Sequence, residues 1–202
     1  MTEGVSTHDD PAVTHAHLHA DAVAALTAYA PVDEGQRRLR AEYLDHLRAH
    51  RGSVAKAGPP AHLTASCLVI DDARANVLLT LHGKAKRWFQ FGGHLEAADR
   101  SVWAAARREA REESGVPDIS PAPVIVELHR HELVGRFGRC REHLDVRYLA
   151  VVRTGTAPTI SEESDDVAWW PIAALPEGPH GEVAGLVRVA LAWLHKNPVR
   201  LV

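Results

Sequence analysis

The chain has 202 residues and a formal net charge of −3 with histidine neutral. That is enough chain for one substantial core, and too little charge bias to attract nucleic acid or acidic membranes. Two cysteines, Cys67 and Cys140, make no disulfide framework and suit a reducing compartment. No apolar run approaches the ~18 residues of a membrane span, and the N-terminus is acidic and polar where a secretory signal is basic then apolar. A cytoplasmic protein is expected.

Residues 1–14 lack an apolar period and read as a disordered tail. From His15, Leu18, Ala22, Ala25, Leu26 and Tyr29 recur at helical steps, until Pro31 interrupts. Asp33, followed three residues later by Gln36, resembles a capping pair for a second helix. Its stripe is Leu39, Tyr43, Leu47 and His50, and Gly52 ends it. Residues 15–60 are therefore expected to be a helical hairpin, an N-terminal extension joined through Ala57-Gly58-Pro59-Pro60 to a main domain over 61–202.

In that domain, Leu63–Ile70 and Val77–Leu81 read as strands around a turn at residues 71–76. A polar loop, His82–Arg87, leads to Trp88-Phe89-Gln90-Phe91 and a glycine pair, Gly92-Gly93. A helix follows, ended by Gly115. Strands are predicted near Val124–Leu133 and Leu144–Val152, then a short one over Val167–Trp170 and a helix over Glu182–Lys196. Strands, helix, strands, helix makes a mixed α/β (α+β) sandwich.

The chemistry concentrates on the helix after the glycines. At about 100° per residue, Glu109, Glu112 and Glu113 fall in one sector. Trp103, Ala106 and Ala110 form an apolar sector, and Arg107, Arg108 and Arg111 a basic one. Asp99 or Ser101 can cap its N-terminus. Three like charges so close repel, and a hard divalent cation reverses that sign. The bland alternative is a solvated, charge-rich face.

Gly93 … Arg108-Glu109-x-x-Glu112-Glu113-x-Gly115-Val116 resembles the Nudix box, G-x5-E-x7-R-E-U-x-E-E-x-G-U, where U is bulky and apolar. Three departures stand out. Asp99 replaces the first glutamate, eight residues separate it from Arg108 where seven are usual, and Ala110 fills a position usually larger. Phe91 also stands where many members have proline. The resemblance covers residues 62–196 and implies the Nudix fold, a mixed sheet sandwiched between helices. It implies hydrolysis of a phosphoanhydride in a nucleoside diphosphate linked to another group, with Mg²⁺ or Mn²⁺. Glu112, Glu113, Glu109 and the carbonyl of Gly93 would hold the metal. Arg108 would orient a glutamate, and Glu109 or Glu163 would be the general base, the latter from the acidic run Glu162–Asp166 taken as a loop. The substrate would be a nucleoside triphosphate, an ADP-ribose-type or a dinucleotide molecule. His94, Arg87 and Arg147 are candidate substrate contacts, with Lys84 and Lys86 in the same loop as Arg87. Glu96 faces either substrate and metal or a structural partner. Two alternatives stay open: a non-catalytic nucleotide-sensing module, and an isoprenoid-diphosphate isomerase, which would need a cysteine in the cleft where Cys67 looks buried. The N-terminal hairpin would shield the cleft or make a homodimer contact.

Two histidine groups need separate accounts. His15, His17 and His19 read as exposed. His129 and His131 share a strand face, and Cys140-x-x-His143 follows a glycine-containing loop, so a hairpin brings together four residues whose chemistry suits zinc. Their spacing matches no metal signature, and coincidence or substrate contact is the preferred reading. His143, Asp145 and Arg147 share a strand face, either in the cleft or toward solvent.

Overall fold

A computed structural model describes residues 10–83, 85–133, 138–160, 164–176 and 182–198. In chain order it contains α1 (Pro11–Thr14), α2 (Ala16–Ala28), α3 (Glu34–Ala49), β1 (Ala61–Asp71), β2 (Asn76–His82), β3 (Arg87–Phe89), β4 (Phe91–His94), α4 (Val102–Ser114), β5 (Glu127–Glu132), β6 (Glu142–Val152), β7 (Ser164–Pro171) and α5 (Glu182–Lys196). The strands form one mixed sheet in the order β3-β2-β1-β6-β5, with β4 also on β1 and β7 also on β2. None of these helices is long and apolar enough to cross a membrane.

The chain divides into two compact units. The first comprises residues 1–65, 94–105 and 128–146. Its helical hairpin forms as the apolar steps dictate, burying Leu18, Ala22 and Leu26 on α2 and Tyr43 and Leu47 on α3. Asp33 accepts from the Gln36 amide at 2.8 Å, so the predicted cap forms. The Gln36 side chain does not reach back to complete a capping box. Its amide instead gives to the Leu128 carbonyl and takes from the Leu128 N–H, at 3.0 and 2.8 Å, as a neighbouring strand would. Tyr43 donates to the His129 carbonyl at 2.9 Å. The hairpin also reaches residues 94–105: a ring nitrogen of His17 lies 2.7 Å from the Asp99 carbonyl, and Asp21 accepts from the Val102 N–H at 2.7 Å.

Two expectations change here. Residues 11–14 lie in the expected tail but form a helical turn, because Asp10 caps it and Pro11 starts it with a preset φ. Of the three histidines expected to be exposed, His17 is, though its ring bonds the Asp99 carbonyl; His15 and His19 are half-buried, and His19 bonds the Leu47 carbonyl at 2.9 Å.

The second unit comprises residues 66–93, 106–127 and 147–202, and is a sandwich read directly from strand alternation. Leu68 and Ile70 of β1, Val77 and Leu79 of β2 and Leu149 of β6 meet Val183, Leu186, Val187, Ala190 and Leu194 of α5. The alternate residues Cys67, Val69, Leu78, Ala150 and Val152 form the opposite core with Phe91, Ile119 and Ala110 of α4. β2 runs antiparallel to β1, β3 and β7. Segment 87–94, expected as an approach to the glycines, is thus two short strands. Phe91 and Ala110 share one core, so a large ring at one position accompanies the small side chain at the other.

Candidate active site

In the second unit, packing of α4 decides where the glutamates point. Ala106, Ala110 and Glu113 recur at four- and three-residue steps on the buried side, with Glu109 beside Ala110. Glu109 and Glu113 are consequently only 8% and 9% exposed, whereas the Glu112 side chain is 61% exposed. A purely solvated acidic face is excluded, since burying carboxylates costs free energy unless a partner compensates.

Part of the compensation comes from the glycine pair. The Gly92 N–H donates to Glu113 Oε2 at 3.0 Å. At Gly93 an added Cβ would lie 2.5 Å from Glu109 Oε1 and 2.7 Å from its Cδ. The Glu109 carboxyl therefore occupies the volume that any other residue's side chain would fill. Arg108 Nη1 donates to Glu109 Oε1 at 2.9 Å and to Glu112 Oε2 at 3.1 Å, fixing both rotamers. Gly115, at φ 65°, closes the helix as the sequence predicts, and Ser101 caps its start by accepting from the Ala104 N–H at 3.0 Å.

Glu109, Glu112 and Glu113 bring three carboxylates to one sector of α4, all hard oxygen donors. That donor set fits a divalent cation of the Mg²⁺ or Mn²⁺ type. Gly93→Ala tests the cradle: the methyl must displace the flexible end of Glu109 rather than backbone. The expected outcome is a melting temperature within a few degrees of the parent and a Mg²⁺ affinity lower by at least ~10-fold, measured by calorimetry.

A family model, described as the NUDIX domain, matches residues 60–192. The chain belongs to the Nudix family. Solved structures agree on the fold. A Nudix-family hydrolase from Clostridium perfringens is 24% identical, with a TM-score of 0.51 over 66% of this chain and 97% of that one. A Caenorhabditis elegans Ap4A hydrolase in a binary complex is 18% identical, with a TM-score of 0.54 over 66% and 98%. A MutT Nudix hydrolase from Burkholderia pseudomallei is 19% identical, with a TM-score of 0.50 over 63% and 96%. No curated protein matches the sequence.

Around the Nudix box the remaining expectations divide. In the first unit, Asp99 accepts from the Glu96 N–H at 2.8 Å and its own N–H reaches the Glu96 carbonyl at 2.9 Å, so it closes the loop before α4. The Asp99 replacement is therefore structural here. Glu96 itself is exposed, as is Arg87 at the start of β3.

Arg147 is corrected. It is 1% exposed and ion-paired with Glu127 at 2.9 Å and Glu182 at 2.5 Å, a core cation in place of the substrate contact expected. The acidic run is also corrected in part. Strand β7 starts at Ser164, so Asp165 and Asp166 belong to a strand paired with β2, and Asp165 meets Lys86 Nζ at 2.6 Å. Glu162, Glu163 and Lys84 lie outside the described residues. Cys67 is 0% exposed and burial pushes its thiol far up, which leaves it unfit for the cysteine chemistry of an isomerase.

The histidine group differs most from expectation. The ligand atoms of Cys140 and His143 gather with those of His62 of β1 and His94 of β4. Of the expected partners, the His131 ring does lie against His143, centroids 5.2 Å apart, but neither it nor His129 belongs to that group of four. Asp145, between His143 and Arg147 on the strand, is buried and accepts from the Thr64 hydroxyl at 3.1 Å, so this face is neither open cleft nor solvent surface. His94, expected at a phosphate, lies with Nε2 3.1 Å from His62 Nε2. Burial chiefly, with neighbouring histidines next, pushes His94 down to about 4 and His143 down to about 3. Both rings are therefore neutral at pH 7. Sequence reading missed His62 and gave His94 another role because the pairing of β1 with β4 and β6 is long-range.

Proposed function

We propose that this chain is a pyrophosphohydrolase that uses Mg²⁺ or Mn²⁺ to cleave a phosphoanhydride bond in a nucleoside diphosphate derivative. The observation that carries this reading is the inward pair Glu109 and Glu113, buried against Gly93 and Gly92 at the close of the family's motif. Glu109, Glu112, Glu113 and the Gly93 carbonyl would hold the metal. A bound divalent ion would polarise phosphoryl oxygens and lower the pKa of a bound water.

The side chains divide the remaining work. Arg108 positions Glu109 and Glu112 by donating a hydrogen bond to each. Glu109 is the candidate general base, since its carboxylate is held in place and largely out of water; Glu163 is the second candidate. The exposed Arg87 and Glu96 are candidate substrate contacts, Arg87 for phosphate and Glu96 for a hydroxyl or a bridging cation. His94 is omitted from that set because its ring is engaged with His62.

The test is a panel of nucleoside triphosphates, ADP-ribose and dinucleotide polyphosphates, incubated with the purified chain and Mg²⁺ or Mn²⁺, with products identified by phosphorus NMR. Metal-dependent cleavage between phosphates, abolished by EDTA, is expected for at least one member. Tight nucleotide binding with no cleavage of any member would make the chain a sensor.

A further inference from the structure

We propose that His62, His94, Cys140 and His143 form a closed tetrahedral site for Zn²⁺, separate from the carboxylate site of the Nudix box. One ligand atom from each of the four lies within 4.8 Å of every other. A zinc tetrahedron with bonds of about 2.0–2.1 Å to nitrogen and about 2.3 Å to sulfur has edges of roughly 3.3–3.6 Å. The two separations along these edges, His62 Nε2 to His94 Nε2 at 3.1 Å and His94 Nε2 to Cys140 Sγ at 3.8 Å, bracket that range.

The hydrogen bonding sets the tautomers for ligation. His62 Nδ1 lies 2.9 Å from the Pro59 carbonyl, which only accepts, so Nδ1 carries the proton and Nε2 presents a lone pair toward His94. A ring nitrogen fixed by a carbonyl on its far side is the usual support of a metal-bound histidine. His143 Nε2 is buried with no hydrogen-bond partner among the described residues, a costly arrangement that a metal ion would relieve. The imidazoles are neutral, which is the ligating form, and the Cys140 thiol would release its proton on binding.

The donor set selects the metal. Three imidazoles and a thiolate suit Zn²⁺ and are the wrong ligands for Mg²⁺ or Ca²⁺. Four protein donors leave no open position for water, so the site is structural. It would fasten the end of β4 to β1 and to the segment entering β6, holding the backbone one residue after Gly93. It rests on none of the residues assigned to hydrolysis.

Metal analysis of tag-free protein, never exposed to chelator, is expected to give one zinc per chain, and Glu113→Gln is expected to retain it. Loading with Co²⁺ should give a sulfur-to-cobalt charge-transfer band that Cys140→Ser abolishes, while zinc affinity falls by more than ~100-fold in Cys140→Ser and His143→Ala. His129→Ala should keep both the band and the zinc. EDTA treatment of the unaltered chain reads the same site without a substitution: the melting temperature should fall and one equivalent of Zn²⁺ should restore it. Absence of bound zinc together with an EDTA-insensitive melting temperature would overturn the site, as would a cobalt spectrum unchanged by Cys140→Ser.

Discussion

Glu113→Gln is expected to lower kcat for metal-dependent phosphoanhydride cleavage by about 10³-fold or more, the scale of losing several kcal/mol of metal-borne charge stabilisation. Glutamine keeps the volume, and its carbonyl oxygen still accepts from the Gly92 N–H, so the local backbone is preserved. What disappears is one negative charge from a sector of α4 that holds three carboxylates. The metal-free protein is expected to melt within a few degrees of the parent, because the side-chain volume is kept. The melting-temperature increase on adding Mg²⁺ should shrink with the lost affinity. Steady-state kinetics and thermal melts with and without Mg²⁺ measure both halves. A variant that melted much earlier yet turned over normally per folded molecule would make Glu113 a structural residue.

Arg147→Met should destabilise the protein by about 3–5 kcal/mol, because it removes the buried cation from an ion-pair network. The Glu127 and Glu182 side chains are each 15% exposed and lose their shared cation. For a chain of this length, about 2–4 °C per kcal/mol makes the drop in melting temperature roughly 10 °C. Adding Glu127→Gln and Glu182→Gln to the variant should recover part of the loss, since neutral amides tolerate burial better than unpaired carboxylates. The same measurement distinguishes the core role from a substrate contact, which would reduce activity at unchanged melting temperature.

Local rules carried the elements well. The predicted helix Glu182–Lys196 matches α5, and the Asp33 cap forms at the start of α3, because caps and apolar stripes act over one or two turns. Long-range pairing is where local reading failed. Residues 164–166 look like a polar loop because their neighbours are acidic, yet β7 extends through them against β2 and the Ser164 hydroxyl meets Thr80 at 2.8 Å. Gln36 reads as half of a capping box, yet Leu128, 92 residues away, takes its side chain. Nothing within a helix turn of Arg147 reports Glu127 or Glu182.

For the site, spacing along α4 placed Glu109, Glu112 and Glu113 together before any fold was known, since helix geometry fixes the angle between residues three and four apart. The same spacing could not say which of them faces inward. That choice came from the packing of Ala110 and Phe91 in one core and from the missing side chain at Gly93, whose space the Glu109 carboxyl fills. The sequence by itself determined the sandwich order and the acidic cluster, both properties of short-range periodicity, and carried the resemblance to the Nudix box in its motif. Only the tertiary structure decided that His62 and His94 stand with Cys140 and His143, and that Arg147 is a core cation. Both depend on which strands pair and how they stack, and burial and charge partners across a sheet leave no trace in local periodicity.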